Sequence, residues 1–242
     1  MANRDNPYEA AFEEYLRARG VPYVAVDEAR RSVLAEGGSL KSLDFIVSTP
    51  GSVTWLVDVK GRRFPSGDEH QRHYWKNWST RDDLESLARW ETLFGATFRG
   101  LFVFAYVLLS DRSPLPPEEL FEHRGALYGF VAVTLADYAA RCHLISPRWQ
   151  TVAMHTDAFR RLARPVASFL ADAADVPPLS DAILAAASSA PPTMPDASSP
   201  AGQAETDDDS DFDRWWGSDA TGEPPDGFDE PFEQRPWHGG GA

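Results

Sequence analysis

The sequence predicts an α/β protein in which a mixed β-sheet is flanked by helices. Hydrophobic residues make up 43% of its 242 residues, which is enough to bury a core in one ordinary domain. An amphipathic helix comes first along the chain. Three short apolar strands, a second helix and a strongly apolar fourth strand follow it, which gives the order αβββαβ. Further strand and helix segments follow this core.

Local signals bound the elements of the first half. Asn6 or Asp5 can cap the first helix, Pro7 suits its first position, and Gly20 ends it. Apolar residues recur at helical spacing between these limits, at Tyr8, Ala11, Phe12, Tyr15 and Leu16. Three candidate strands then cover residues 21–26, 43–48 and 53–59. The turn sequence TPGS at residues 49–52 joins the last two strands into a hairpin.

The second half begins with a helix over residues 80–94, which Thr80 caps. Asp82 and Asp83 lie in its first turn, where the helix dipole favours negative charge. The remaining segments are strands over residues 98–109 and 127–135 and helices over residues 135–142 and 156–170. Pro165 is expected to kink the last of these helices, because proline removes a helical hydrogen bond.

The composition changes sharply near residue 175. Residues 1–170 carry 21 acidic and 21 basic side chains, whereas the rest of the chain carries 16 acidic and 2 basic ones. Ten of the 19 prolines also fall after residue 175. Such a segment cannot bury enough apolar area to offset its ordering entropy. We therefore expect a folded domain over residues 1–174 and a disordered, acidic Pro/Ala/Ser-rich tail over residues 175–242.

The sequence argues against several classes of protein. Cys142 is the single cysteine, so we expect neither a disulfide framework nor a zinc site built from cysteines. The first residues contain no apolar segment typical of a signal peptide. The longest apolar run, at residues 101–109, is far shorter than the ~20 residues that cross a bilayer. The sequence therefore predicts a soluble cytoplasmic protein without a membrane partner.

Acidic residues and a lysine interrupt the two strands of the hairpin. Asp44 lies in an otherwise apolar strand, and Asp58 and Lys60 lie two residues apart near the end of the next strand. Because side chains alternate across a strand, Asp58 and Lys60 share a face. If the hairpin pairs Thr49 with Val53, Asp44 lies opposite Asp58 on that face, whereas a slip of one residue would separate them.

Two facing carboxylates repel each other unless a cation lies between them. Mg²⁺ or Mn²⁺ suits such oxygen ligands, and we expect the metal to be held by Asp44, Asp58 and the carbonyl of Val59. Lys60 adds a positive charge where a phosphate oxygen or an attacking hydroxide would lie. These are the components of metal-assisted phosphodiester hydrolysis. The alternative is a strand end that carries a solvated ion pair.

The first helix carries two acidic residues beside its apolar stripe. Glu9 falls next to Leu16, and Glu13 lies one turn further along the same side. Carboxylates rarely border a buried face without a partner. We expect one of them to reach the acidic residues of the hairpin, as a metal ligand or a water-orienting group. Alternatively, both extend to water or pair with Arg17.

This arrangement of a helix with Glu, a strand with Asp and a strand ending in Asp-x-Lys resembles the PD-(D/E)XK nuclease superfamily, which includes restriction endonucleases and archaeal Holliday junction resolvases. More narrowly, PYEAAFE at residues 7–13 is similar to the motif that names the HYExAFE family of bacterial proteins. Further matches to that family are KSxDF at residues 41–45, DVKGR at residues 58–62, Trp75, Trp78 and Trp90. The resemblance covers residues 7 to about 165 and implies a restriction-endonuclease-like core.

Carried over to this sequence, the superfamily pattern implies a role for each of these residues. Asp44 and Asp58 would bind the metal, and Lys60 would position or activate the nucleophile. Glu9 or Glu13 would be the acid of the helix. The same scaffold is also used without catalysis, so the fold alone does not establish an activity.

The chain departs from the two families at two places. Pro7 stands where the HYExAFE name has His, so a histidine there is not indispensable if this member is active. Many superfamily members have a Gln in the helix after the third strand, whereas residues 80–94 contain none. Glu91 and Asp83 are the acidic residues of this segment that could take its place.

A basic and aromatic stretch directly follows the strand that carries Asp58. The candidates for nucleic-acid binding in this stretch are Arg62, Arg63, Arg72, Trp75 and Lys76. Cationic side chains of this kind contact phosphates, and aromatic rings stack on unpaired bases. Alternatively, the stretch is a long loop whose tryptophans pack on the sheet while its arginines face water. The neutral charge of the folded part argues against a strongly salt-driven, general DNA binder.

Taken together, these features predict a Mg²⁺-dependent nuclease that hydrolyses phosphodiester bonds of nucleic acid, with DNA as the expected partner. One alternative is a nucleic-acid-binding module on the same fold that has no catalytic activity. Another is an interaction protein whose acidic and aromatic tail, at residues 207–216 and 228–232, docks to a basic, apolar groove of a protein partner.

Overall fold

The computed structural model describes residues 6–26, 32–33, 39–67 and 72–171, so the predicted tail lies outside the described residues. The helices in these ranges are α1 Pro7–Ala18, α2 Arg81–Phe94, α3 Leu135–Arg141, α4 Thr156–Leu162 and α5 Val166–Ala171, with a 3₁₀ turn at Pro117–Glu119. The strands are β1 Tyr23–Ala25, β2 Ser32–Val33, β3 Ser39–Leu40, β4 Phe45–Ser48, β5 Thr54–Phe64, β6 Ser66–Gly67, β7 Arg72–His73, β8 Ser79–Thr80, β9 Phe98–Leu108, β10 Leu120–His123, β11 Ala126–Thr134, β12 Cys142–Ser146, β13 Thr151–Met154 and β14 Arg164–Pro165. Within the described ranges, no helix has the length and apolar character needed to span a membrane.

A seven-stranded mixed sheet forms the centre of the fold. Its strand order is β1-β4-β5-β9-β11-β10, and β14 also pairs with β11. β5 and β9 run parallel along their whole lengths, and the other neighbours are antiparallel. The predicted order αβββαβ corresponds to α1, β1, β4, β5, α2 and β9. The predicted fold class, a restriction-endonuclease-like core with a mixed sheet between helices, is therefore confirmed by this topology.

The two faces of the sheet are covered by different helices. On one face, α1 and α5 pack on the side chains of Phe45, Trp55, Val57 and others in one apolar cluster. On the other face, α2, α3 and α4 pack on a second apolar cluster, to which β5 contributes Leu56 and Phe64. Because side chains alternate along β5, the even-numbered positions between these last two residues also point towards α2.

β5 extends five residues beyond the predicted strand end at residue 59 and ends at Phe64. β9 pairs with it over this whole length and so supplies backbone partners that the sequence alone does not reveal. Gly61 allows this part of β5 to pass under α1, because a Cβ there would lie 2.2 Å from the ring of Tyr8. Arg62 and Arg63 consequently belong to a central strand and not to a loop.

The predicted kink at Pro165 is a complete break in the structure. α4 ends at Leu162, and a new helix begins at Val166. Between them, Arg164 and Pro165 form β14, which pairs antiparallel with β11. Proline cannot donate a helical hydrogen bond and disfavours helical geometry in the residue before it, so the edge of the sheet accommodates this pair better than a helix interior does.

Candidate functional site

The hairpin of β4 and β5 has the register that the turn sequence predicted. Phe45 pairs with Val57 and Ser48 with Thr54, which is the register expected if Thr49 faces Val53. The apolar side chains of this register point into the cluster under α1, where Phe45 and Val57 are fully buried. Burial of this kind fixes the pairing, because a slip of one residue would turn the apolar set to the opposite face.

Asp44 lies just before β4 and is held against the residue that separates Asp58 from Lys60. Its backbone N–H donates to the carbonyl of Val57 at 2.9 Å, and its Oδ2 accepts the N–H of Val59 at 2.5 Å. The carboxylate therefore replaces the hydrogen bond that a further residue of β4 would make. In a strand, the carbonyl of a residue points to the same side as its N–H. The carbonyl of Val59 therefore also faces the side of β5 on which Asp44 lies.

Asp58 and Lys60 lie side by side on the face of β5 that is turned towards α2. The ammonium Nζ of Lys60 lies 2.8 Å from Oδ1 of Asp58 and 3.0 Å from Oδ2 of Asp83, which belongs to α2. Asp83 in turn lies 2.9 Å from Nζ of Lys41 through its Oδ1. Two acids and two lysines from β5, α2 and the segment after β3 therefore form one alternating chain, which we call the lysine–aspartate chain.

The cap of α2 places Asp83 at this position. Thr80 is the N-cap residue, and its hydroxyl accepts the N–H of Asp83 at 3.1 Å. Oδ2 of Asp83 accepts the N–H of Thr80 at 3.0 Å and the hydroxyl of Ser79 at 3.1 Å. This reciprocal pair is a capping box, which satisfies two N–H groups that the start of a helix would otherwise leave without partners.

Burial and pairing shift the acidities of the chain in different directions. Burial raises the pKa of Asp58 to about 6, although the ammonium of Lys60 opposes this shift. Burial would lower the pKa of Lys60, but the carboxylates of Asp58 and Asp83 outweigh it and raise the pKa. Burial would likewise raise the pKa of Asp83, whereas Lys60 and Lys41 hold that pKa far below its usual range. Lys60 and Asp83 are therefore charged at neutral pH.

A small pocket opens beside Asp58. It contains about 180 Å³ of space, part of which is open to solvent. Its lining residues are Lys41, Ser42, Leu43, Asp58, Asp83, Ser86, Leu87 and Trp90. The main chain of Lys41 is fixed to α2 on this side, because its N–H donates to the hydroxyl of Ser86 at 3.2 Å and its carbonyl accepts the indole N–H of Trp90 at 2.8 Å. Three members of the lysine–aspartate chain, Lys41, Asp58 and Asp83, therefore line this pocket.

The structure places Glu9 and Glu13 away from this chain. α1 covers the opposite face of the sheet, and Glu9 is buried at its start, where the amide of Asn6 donates to Oε1 at 2.5 Å. Glu13 accepts from the guanidinium of Arg17 at 3.1 Å and from the hydroxyl of Tyr23 at 2.9 Å. The pairing of Glu13 with Arg17 is the alternative that the sequence left open.

Two of the residues predicted to bind nucleic acid pack against the protein itself, with Arg62 buried and Trp75 half-buried. Arg62 is buried, stacks 3.8 Å above the ring of Trp78 and donates to the carbonyls of Gly61 and Trp78. Burial lowers its pKa to about 10. The ring of Trp75 packs edge-on against Phe64 and against other aromatic residues of the cluster under α2. Because β5 continues through Arg62, that guanidinium points into the core and does not face a phosphate.

The other candidates of this stretch lie nearer the surface. Arg63 and Arg72 are exposed, and Lys76 is half-buried. The carbonyl of Lys76 accepts the hydroxyl of Tyr106 at 2.9 Å, so its backbone has a structural role. Arg63 and Arg72 are therefore the two exposed members of the predicted set.

Within the part of the chain that the structure describes, no group of three or more His, Cys, Asp or Glu residues is placed to hold a metal.

The residues that the sequence-based site left out are Asp83 and Lys41. Asp83 is recognisable in the sequence as an acid in the first turn of a helix, and Lys41 as part of the KSxDF segment. Neither pattern shows that the carboxylate of Asp83 contacts both Lys41 and Lys60 of β5. Of the two acids considered in place of the missing Gln, Glu91 accepts the N–H of Gly100 at 2.5 Å, and Asp83 lies 3.0 Å from Nζ of Lys60.

No protein-family model matches the sequence, and no curated protein matches it. One similar solved structure is Hjc, a Holliday junction resolvase from the archaeal hyperthermophile Archaeoglobus fulgidus. The match covers 51% of this chain and 84% of that chain, with 16% sequence identity and a TM-score of 0.29. The fold assignment above accordingly comes from the strand order and pairing of this chain.

Proposed function

We propose that this chain is a nuclease of the PD-(D/E)XK type that hydrolyses phosphodiester bonds of nucleic acid, with DNA as its first substrate class and Mg²⁺ or Mn²⁺ as its metal. One observation carries the proposal. Asp58 lines an open pocket, the ammonium of Lys60 lies 2.8 Å from its carboxylate, and Asp44 is hydrogen-bonded to the residue between the two. Perturbed, partly buried titratable groups beside a cleft are typical of catalytic sites.

The oxygen atoms of Asp44, Asp58 and Val59 are suitable ligands for a hard divalent cation. The carboxylates of Asp44 and Asp58 and the carbonyl of Val59 are all oxygen ligands, which Mg²⁺ and Mn²⁺ prefer. Burial raises the pKa of Asp58 to about 6, and a bound cation would favour its ionised form. When bound there, the metal supplies a Lewis acid that lowers the pKa of a water molecule and neutralises charge on the phosphate.

Lys60 contributes a fixed positive charge in this proposal. Its pKa is raised, so it acts as a cation and not as a proton acceptor. Asp58 and Asp83 hold its ammonium at 2.8 Å and 3.0 Å, which orients the charge before a substrate binds. A preoriented charge of this kind stabilises the negative charge that develops on phosphate oxygens. Arg63 and Arg72 are proposed to contact the phosphate backbone further along.

The first experiment compares the full chain with its Asp58→Asn variant on labelled single-stranded, duplex and branched DNA and on RNA, with Mg²⁺ and then Mn²⁺. We expect metal-dependent cleavage by the unmodified chain and loss of cleavage in the variant. Asp137→Asn is the matched control, because it neutralises an exposed acid of α3 that lies outside the pocket. Cleavage at the unmodified rate by Asp58→Asn, or no cleavage of any substrate by the unmodified chain, contradicts the proposal.

A second candidate is a nucleic-acid-binding module without catalysis. The lysine–aspartate chain favours it, because Lys60 already neutralises Asp58 at 2.8 Å without a metal. Calorimetric titration with Mg²⁺ and Mn²⁺ separates the two candidates. The nuclease binds the metal and loses that binding in Asp58→Asn, whereas the binding module retains nucleic acid and takes up no metal.

A further inference from the structure

Both the backbone and the side chain of Lys41 are held by contacts with α2. Its backbone N–H and carbonyl are both bonded to side chains of α2, through Ser86 at 3.2 Å and Trp90 at 2.8 Å. Its ammonium lies 2.9 Å from Oδ1 of Asp83 and 3.5 Å from Oδ2 of Asp82. The side chain is 35% exposed and lines the pocket, so the ammonium reaches both the buried carboxylate and solvent.

Asp83 divides its two oxygens between two lysines. Oδ1 faces Lys41 and Oδ2 faces Lys60, while the capping bonds of Thr80 and Ser79 fix the carboxylate itself. Lys60 lies between Asp83 and Asp58, and Lys41 lies between Asp83 and Asp82. On the other side, Lys41 faces the open pocket.

We propose that Lys41 is a second phosphate-contacting residue of the site and that Asp83 is the positioning residue that holds Lys41 beside Lys60. The inference rests on the proposed nuclease function and adds a substrate contact to it. A lysine ammonium at the mouth of a pocket binds a phosphate oxygen as a point charge. Asp83 acts through the lysines and does not touch the substrate.

The test of Lys41 is an equilibrium measurement that does not depend on cleavage. Fluorescence anisotropy of labelled single-stranded and duplex DNA is recorded without divalent metal, over a series of salt concentrations, for the full chain and its variants. We expect Lys41→Met to weaken binding about tenfold and to lower the slope of log Kd against log salt by about one. Lys41→Arg keeps the charge and retains most of the affinity.

Arg141→Met is the matched control for charge. Arg141 pairs with Asp137 at 3.0 Å and its side chain is 46% exposed, so its removal takes away one ion-paired surface cation elsewhere. We expect its affinity and its salt slope to equal those of the unmodified chain. If Arg141→Met weakens binding as much as Lys41→Met does, the effect belongs to net charge and the proposed contact is overturned.

The positioning role of Asp83 needs variants that separate charge from helix capping. Asp83→Asn keeps the size of the side chain and removes its charge, and we expect weaker binding by a factor similar to that of Lys41→Met. Asp83→Glu restores a carboxylate at a position where Glu is common in capping boxes, and we expect partial recovery. Thr80→Ala removes the cap bond but leaves the carboxylate. Equal loss in Thr80→Ala and Asp83→Asn, with all variants shown to be folded by circular dichroism, would overturn the positioning role.

The possible outcomes distinguish this inference from the proposed function. If Lys41→Met binds like the unmodified chain while that chain cleaves nucleic acid with Mg²⁺ or Mn²⁺, the contact is overturned and the nuclease stands. If the unmodified chain binds without cleaving and Lys41→Met binds about tenfold more weakly, the contact is supported and the nuclease is not. If the unmodified chain binds no nucleic acid at low salt, both are overturned.

Discussion

Helices α2 and α3 begin with the same local motif but use its acidic residue differently. Thr80 and Thr134 are the N-caps, and the N–H groups of Asp83 and Asp137 each donate to the threonine hydroxyl at 3.1 Å. Asp83 is buried and lies 2.9 Å and 3.0 Å from two lysines of other elements. The side chain of Asp137 is 43% exposed and pairs at 3.0 Å with Arg141 of its own helix.

The difference shows which level of structure decides each property. The cap follows from four consecutive residues, so both helices have it. The ion pairs of Asp83 depend on strands that come together only in the folded sheet. Burying charges costs desolvation energy that pairing often does not return, so a buried network of this size is not the most stabilising contact available between a helix and a sheet. Its presence beside a pocket fits a role in function better than a role in stability.

The largest expected difference between the two regions is in catalysis. Lys60→Met removes the cation that both Asp58 and Asp83 hold, and we expect the single-turnover cleavage rate to fall by about 100- to 1,000-fold. Arg141→Met removes the partner of Asp137 and is expected to leave the rate unchanged. The rates are measured with labelled nucleic acid and saturating Mn²⁺. A Lys60→Met variant that cleaves as fast as the unmodified chain would remove Lys60 from the mechanism.

The fold could be predicted from the sequence because its signals are local. The cap and spacing of α1, the TPGS turn and the apolar runs of the strands each lie within a short window, and the structure reproduces their order and the hairpin register. The misjudged elements depend on partners distant in sequence. β5 runs on to Phe64 because β9 pairs with it, and Pro165 lies in a strand because β11 accepts it.

The candidate site could be predicted only in part, for the same reason. Asp58 and Lys60 share a face because they lie two positions apart in one strand, and alternation alone predicts this. The contact of Lys41 with Asp83 joins residues that are 42 positions apart, and no periodicity links them. Arg62 shows the converse error, because its charge predicts a surface residue and its strand position buries it.

The next difference concerns stability and its dependence on pH. At pH 7, we expect Asp83→Asn to lower the free energy of unfolding by about 3 kcal/mol, because it leaves Lys60 and Lys41 without their shared carboxylate. Asp137→Asn removes an exposed pair and should cost less than about 1 kcal/mol. Both changes in the free energy of unfolding are to be measured by urea denaturation at several pH values between 7 and 3.

The sign of the pH dependence follows from the pKa of Asp83, which lies far below its unfolded value of about 4. Such a group contributes its full stabilisation above the unfolded pKa and loses it as the pH falls below that value. The part of the difference between the unmodified chain and Asp83→Asn that comes from the charge of Asp83 should therefore shrink as the pH falls from about 4 towards 3. A difference that is independent of pH over this range would show that the charge of Asp83 does not stabilise the fold.

The smallest expected effect concerns the threonine N-cap, which is the feature that α2 and α3 share. Thr80→Ala and Thr134→Ala each remove a hydroxyl that accepts an aspartate N–H at 3.1 Å. Loss of such a cap costs about 1 kcal/mol, and we expect the two variants to lose the same amount in urea denaturation. Neither threonine carries charge to the lysines, so cleavage and nucleic-acid affinity should not change. If Thr80→Ala lost several times more stability than Thr134→Ala, the cap of α2 would be coupled to the lysine–aspartate chain, and the charge network would depend on the cap as well as on the sheet.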